Sequence, residues 1–173
     1  MGNVKLRDLE RFKKTLAGTI EFASLIEQAS QKNRERIIAE INELDPGFMR
    51  SVMKRVVFFE ELVYLDEGIV AEILGRVSPK LLAFALAGMP EDFQKKILNH
   101  LSYRSMKETL DEQDKLSKKP SEQLIHGARS QVLRIARELE AKNKFVFELA
   151  DCPRFKEKPS PKLKVIKGSK WRP

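Results

Sequence analysis

The sequence is poor in residues that cross-link or interrupt a chain. Its 173 residues include one cysteine, Cys152, with eight glycines and eight prolines. A single cysteine excludes an intramolecular disulfide framework and suits a reducing compartment. Few glycines and prolines beside 34% charged residues describe a globular chain rich in helix formers. Long apolar runs are missing as well. The longest, residues 81–89, contains Gly88 and is too short to span a bilayer. The opening MGNVKLRDLERFKK has no apolar signal core, and Leu6 stands where a myristoylation site wants Ser or Thr. The expected location is cytoplasmic, with peripheral attachment at the inner membrane face left open.

The patterns that carry chemistry are absent too. No phosphate-binding glycine loop, dinucleotide fingerprint or nucleophile elbow occurs. His100 and His126 fall in different predicted helices, with no Cys or paired carboxylate at metal-ligand spacing. Cys152 sits in an Asp-Cys-Pro turn beside a basic tail and reads as inert. Glu60 and Glu61 have no second carboxylate placed for acid/base work. The reading is of a protein that is not an enzyme, with no metal and no cofactor.

The charge of +8 is unevenly placed. Arg154–Pro173 holds eight Lys or Arg against Glu157, a net of +7, which leaves 25 basic and 24 acidic residues in the first 153. A neutral body with a basic tail is expected, the tail spanning residues 151–173 and disordered. Salt-sensitive binding of nucleic acid or an anionic membrane through that tail, aided by Phe155 and Trp171, is the alternative function.

What the sequence does have is helical periodicity. Leu6, Leu9, Phe12 and Leu16 recur at helical spacing, with Gly18 as the expected stop. Phe22, Leu25 and Ile26 form a second short face, and Ile37, Ile38, Ile41 and Leu44 a third. Asp45-Pro46, Asp66 and Ser78-Pro79 read as caps, two of them followed by proline at the first helical position. Residues 81–86 are almost wholly apolar and belong inside a bundle, and a long helix starts near Ser121. Phe145-Val146-Phe147 reads as extended chain packed on the body. No alternating segment is long enough for a sheet, so the fold class is all-α.

Ser102–Leu116 is the stretch that presents something. At 100° per residue, Tyr103, Met106 and Leu110 share one side, which predicts the buried face. Arg104, Glu108, Asp111, Glu112 and Lys115 fall on the opposite side as a charged ridge.

Read as one run, residues 56–149 resemble the C-terminal part of the flagellar motor switch protein FliG. The family's Met-Phe-x-Phe-Glu-Asp-Leu-Val hinge corresponds to Val56-Val57-Phe58-Phe59-Glu60-Glu61-Leu62-Val63. Its Leu-Asp-Asp-Arg step corresponds to Leu65-Asp66-Glu67-Gly68. The Ala-Leu-x-Gly helix end corresponds to Ala85-Leu86-Ala87-Gly88, and the charged helix to Arg104, Asp111 and Glu112 without a gap. Upstream, Ile37–Phe48 resembles the family's Ile-Leu-x-x-Leu-x-x-x-Asp-Pro-Glu-Leu segment.

The resemblance implies an armadillo-like helical unit over 1–55 and a hinge over 56–60. A compact six-helix domain over 61–150 follows, carrying the torque helix 102–116. It implies a switch component whose ridge faces the cytoplasmic loop of the stator protein MotA. FliM is a further implied partner, and the armadillo-like unit would stack on FliG-type subunits or on its own copies, leaving an apolar edge around Phe12, Leu16, Phe22 and Leu25. Three departures stand out. Ala87 replaces a family lysine, Val56 and Val57 replace Met and Phe, and an expected Arg falls within residues 118–120. The family's membrane-ring half and middle armadillo unit have no counterpart, as in a fragment or a short paralogue.

Overall fold

The caps marked in the sequence are caps in the structure, a computed structural model that describes residues 6–116, 120–142 and Phe147. Asp45 Oδ1 accepts from Phe48 N at 2.8 Å, with Pro46 opening the helix. Asp66 Oδ1 accepts from Gly68 N at 2.8 Å, and Ser78 Oγ from Leu81 N at 3.3 Å. Each satisfies an amide that the first helical turn leaves without an intrahelical acceptor.

Between them run α1 (Leu6–Lys13), α2 (Leu16–Gln28), α3 (Gln31–Leu44) and α4 (Pro46–Met53). A 3-10 helix (Phe59–Tyr64) follows, then α5 (Glu67–Leu74), α6 (Pro79–Leu86), α7 (Glu91–Leu98), α8 (Tyr103–Asp114) and α9 (Glu122–Ala141). The described residues contain no strand, and the chain is all-α. None of their helices is long and apolar enough to cross a membrane.

Two apolar clusters hold these helices. The first gathers Leu9, Phe12, Phe22, Ile26, Ile41, Met49, Val52 and Val56 from α1–α4 and the residues after it. Within it Phe12 and Phe22 meet edge to face, with ring centroids 5.1 Å apart. The second gathers Val57, Phe59, Leu62 and the inward faces of α5–α7 and α9. Phe147 is buried in this second cluster, as expected for it; residues 145 and 146 lie outside the described residues, as does the 151–173 tail. The border between clusters falls between Val56 and Val57, both buried, in a non-helical segment of three residues.

The first helix does not end at Gly18. It ends at Lys13, Thr15 caps α2 by accepting from Gly18 N at 3.0 Å, and Gly18 lies buried in the first turn of α2. A Cβ there would stand 2.7 Å from the Phe12 carbonyl oxygen and 2.9 Å from its Cα. Glycine is therefore required by the close approach of α2 to the end of α1. Gly18→Ala is expected to lower stability by about 1–3 kcal/mol, read as an earlier urea midpoint, because backbone rather than a flexible side chain must yield. An unchanged midpoint would refute this packing account.

The expected apolar edge of the first cluster is only half present. Phe12 and Phe22 are interior, whereas Leu16 and Leu25 are exposed and joined in exposure by Leu44. The two phenylalanines are drawn inward because they pack on each other, and Phe22 packs on Phe48 as well.

Candidate partner-binding ridge and the junction behind it

Helix α8 starts at a serine cap, Ser102 Oγ accepting from Ser105 N at 3.2 Å. Its buried residue is Thr109, 1% exposed, whose hydroxyl donates to Ser105 O at 2.8 Å. That bond satisfies the one polar group on the side chain, so its methyl face packs at little cost. Tyr103 is 77% exposed and Leu110 41%, so the apolar row predicted to face inward does so only at Met106, which packs on the second cluster. The helix is turned so that small Ser105 and Thr109 approach the protein, and two large apolar side chains face out.

The five ridge residues divide unequally. Arg104 Nε donates to Glu108 Oε1 at 2.8 Å, and Lys115 Nζ to Glu112 Oε1 at 2.6 Å. Hydrogen bonding from Lys115 holds the Glu112 carboxyl below its ordinary range, with Lys80 adding to the pull, and Glu112 in turn raises Lys115. Asp111 makes no ion pair among the described residues and is exposed. Among the described residues it is the one acid of the ridge with no cation at contact distance, although its charge also acts on Lys115. Glu108, Asp111, Glu112 and Lys115 border a shallow cleft of about 300 Å³ with Ser78, Pro79 and Lys80 at the start of α6. Lys80 is a cation that periodicity within one helix does not reveal; the Ser78-Pro79 cap, which sets it in the first exposed turn of α6, is the signal for it.

The support behind the ridge is fixed by side chains. Gln113 Nε2 donates to Gln94 Oε1 at 2.9 Å, and Gln94 Nε2 to Met89 O at 2.8 Å, tying α8 to α7 and to the end of α6. Ala87, where the resemblance would have a lysine, is the C-cap of α6. Its carbonyl accepts from Arg129 Nη2 at 3.1 Å, and that arginine also reaches Ala85 O and Glu60.

Val56, Val57, Phe58 and Phe59 come together at the border between clusters. Val57 N donates to Glu27 Oε1 at 2.7 Å, and Phe58 N to Glu61 Oε2 at 2.9 Å. The Arg34 guanidinium lies 4.8 Å from the centre of the Phe58 ring, and Phe59 packs against Phe93. A cleft of about 630 Å³ opens here between the end of α2, the start of α3 and α9, with Arg34, Phe58, His126 and Arg129 among its lining.

Glu27, 3% exposed, and Arg137 on α9 were not singled out from the sequence. Arg137 Nε donates to Glu27 Oε2 at 3.1 Å and Nη2 to Oε1, while Arg55 O and Glu140 take further bonds from the same guanidinium. Burial pushes the Glu27 carboxyl up against the pull of Arg137. Burial also opposes charge on Arg137, but Glu27 and Glu140 together outweigh it and leave the guanidinium raised.

The described residues hold no cluster of His, Cys, Asp or Glu fit to bind a metal ion. What the geometry defines is an all-helical chain of two packed clusters that presents charge from a rigidly backed surface helix. The chain belongs to the family of the FliG C-terminal domain, whose profile matches residues 39–147. It is 33% identical over 125 residues to the flagellar motor switch protein FliG of Aquifex aeolicus, covering 72% of this chain and 38% of that protein. To FliG of Helicobacter pylori it is 28% identical over 108 residues, 62% of this chain and 32% of that one. The chain thus spans about a third of the length of these relatives. A crystal structure of a FliG fragment from H. pylori matches the fold with a TM-score of 0.55 at 24% identity, over 78% of this chain and 63% of that one.

Proposed function

We propose that this chain is a non-enzymatic component of the bacterial flagellar motor switch, acting in the rotor at the cytoplasmic face of the membrane. Its α8 ridge faces the stator and transmits torque, rotational switching or both through charge. The observation that carries this reading is the charged row on a tied-down helix, with Arg104, Asp111 and Lys115 exposed and Glu108 and Glu112 half-buried, in a chain of the FliG C-terminal family. Exposed ion pairs are worth about 0.2–1 kcal/mol each, weak enough to form and release as a rotor passes. The stator contact is the MotA cytoplasmic loop, with FliM a further partner in the switch. Residues 56–60 act as the hinge between the ring-building unit 1–55 and the stator-facing domain 61–150.

Binding between this protein and a MotA cytoplasmic-loop fragment tests the reading. Weak association that fades as salt rises, and disappears with Asp111→Lys, is expected. No association at low salt, with both proteins folded, would sink it.

The exposed Leu16, Leu25 and Leu44 make the first cluster the surface that stacks on a FliG-type subunit or on a second copy. Apparent mass by light scattering should rise with concentration, and Leu16→Glu with Leu25→Glu should return it to one chain. A mass independent of concentration would rule out self-association through this edge.

A further inference from the structure

Groups that belong to different parts of the chain meet at one ion pair. Glu27 comes from α2 in the first cluster, Arg137 from α9 in the second, and Arg55 O and Val57 N lie on the two sides of the border. Glu27 uses Oε2 for Arg137 Nε and Oε1 for both Arg137 Nη2 and Val57 N. The guanidinium is 10% exposed at its side chain and also bonds Glu140 Oε2 on its own helix, while its face lies 4.7 Å from the Phe147 ring centre. Among the described residues this is the one ion pair that crosses between the clusters, a buried carboxylate meeting a largely covered guanidinium. His126 Nε2 adds a single polar tie to Gln28 O at 3.2 Å.

We infer that Glu27 and Arg137 form a lock that holds residues 55–57 in one conformation and fixes the bearing of the α8 ridge relative to the α1–α4 unit. The chemistry suits a two-position device. A forked, charge-assisted pair shielded from water is strong and directional, so it is made at one relative orientation and lost when the units rotate. Beside it a cleft of about 630 Å³ separates part of the two units, with Arg34 and Phe58 on one side and His126 and Arg129 on the other. Both clusters keep their own interiors on either side of Val56–Val57, so release of the lock need not unfold either. The lock is a property of the isolated chain and holds whether or not the chain works in a motor.

The test is a distance distribution between spin labels on Lys32→Cys and Lys96→Cys, in a Cys152→Ser background. Both lysines are exposed, on α3 and α7 respectively. The parent should give one narrow distribution. Glu27→Gln removes the charge that closes the lock but leaves Arg137 paired with Glu140, so the fold is expected to persist by circular dichroism. Loss of a charged hydrogen-bonded pair should raise the open population on the order of tenfold to a hundredfold, seen as a broadened or second distance. Glu140→Gln removes a partner that lies on α9 itself and should leave the distribution narrow. A narrow distribution in folded Glu27→Gln overturns the lock, and so does equal broadening in Glu140→Gln, which would mean that α9 merely loosens. If Glu27→Gln does not fold, Arg137→Lys takes its place. It keeps a cation for Glu27 without the fork to Arg55 O, and a distribution as narrow as the parent's overturns the proposal.

Discussion

Cells whose protein carries Asp111→Lys are expected to swim markedly slower than the parent, or to stall, with flagella intact. Glu112→Lys is expected to do less to coupling and more to the fold. The two acids are neighbours in sequence, yet their surroundings differ. Glu112 is bonded to Lys115 and flanked by Lys80, so its charge is largely consumed within the protein. Asp111 stands exposed and, among the described residues, has no contact cation, so its field reaches outward. Reversing it exchanges an attraction for a repulsion wherever a partner cation approaches. Each exposed contact of this kind is worth about 0.2–1 kcal/mol, and reversal costs more than removal because an attraction becomes a repulsion at every encounter. Raised ionic strength should soften the defect, because both partners are exposed. Single-cell swimming speed, with protein level and helicity as controls, is the measurement. Normal speed in cells holding folded Asp111→Lys protein would remove Asp111 from torque transfer.

The helices were legible because their signals are local. Asp45-Pro46, Asp66 and Ser78-Pro79 each act within four residues, and each caps the helix it was expected to cap. Gly18 misleads because a glycine after an apolar run fits either a helix stop or a close crossing, and only the neighbouring backbone of Phe12 decides. The rotation of α8 was hidden for a different reason. Periodicity assumes that the largest apolar side chains turn inward, but Thr109 satisfies its own hydroxyl and takes the buried position, leaving Tyr103 and Leu110 outside. The ridge as a group of charges was visible within one turn-by-turn pattern. Its division into paired acids and one unpaired acid depends on rotamers and on Lys80, which lies in another helix. Glu27 and Arg137 were invisible, since nothing local relates residues 110 positions apart.

Replacing Arg137 by leucine is expected to be the most damaging single change to stability. It keeps the bulk of the stem but leaves Glu27 buried with only Val57 N as a donor. Breaking a buried pair from one side typically costs about 3–5 kcal/mol, because the remaining charge has lost both water and partner. Arg55 O and Glu140 lose a donor in the same step. Glu27→Gln should cost less, since the amide still accepts from Val57 N and the arginine keeps Glu140. The pH dependence gives the sign. Burial already holds the Glu27 carboxyl above its ordinary value of 4.5, and removal of Arg137 takes away the leading opposing pull. A group with a raised folded pKa favours folding below its unfolded value, and that contribution is lost as pH rises through the folded value. The deficit of Arg137→Leu against the parent should therefore be smallest near pH 4.5 or below and grow toward neutrality. Urea unfolding of both proteins across that range reads it directly. A deficit independent of pH would mean that lost packing, rather than a stranded carboxylate, accounts for the damage.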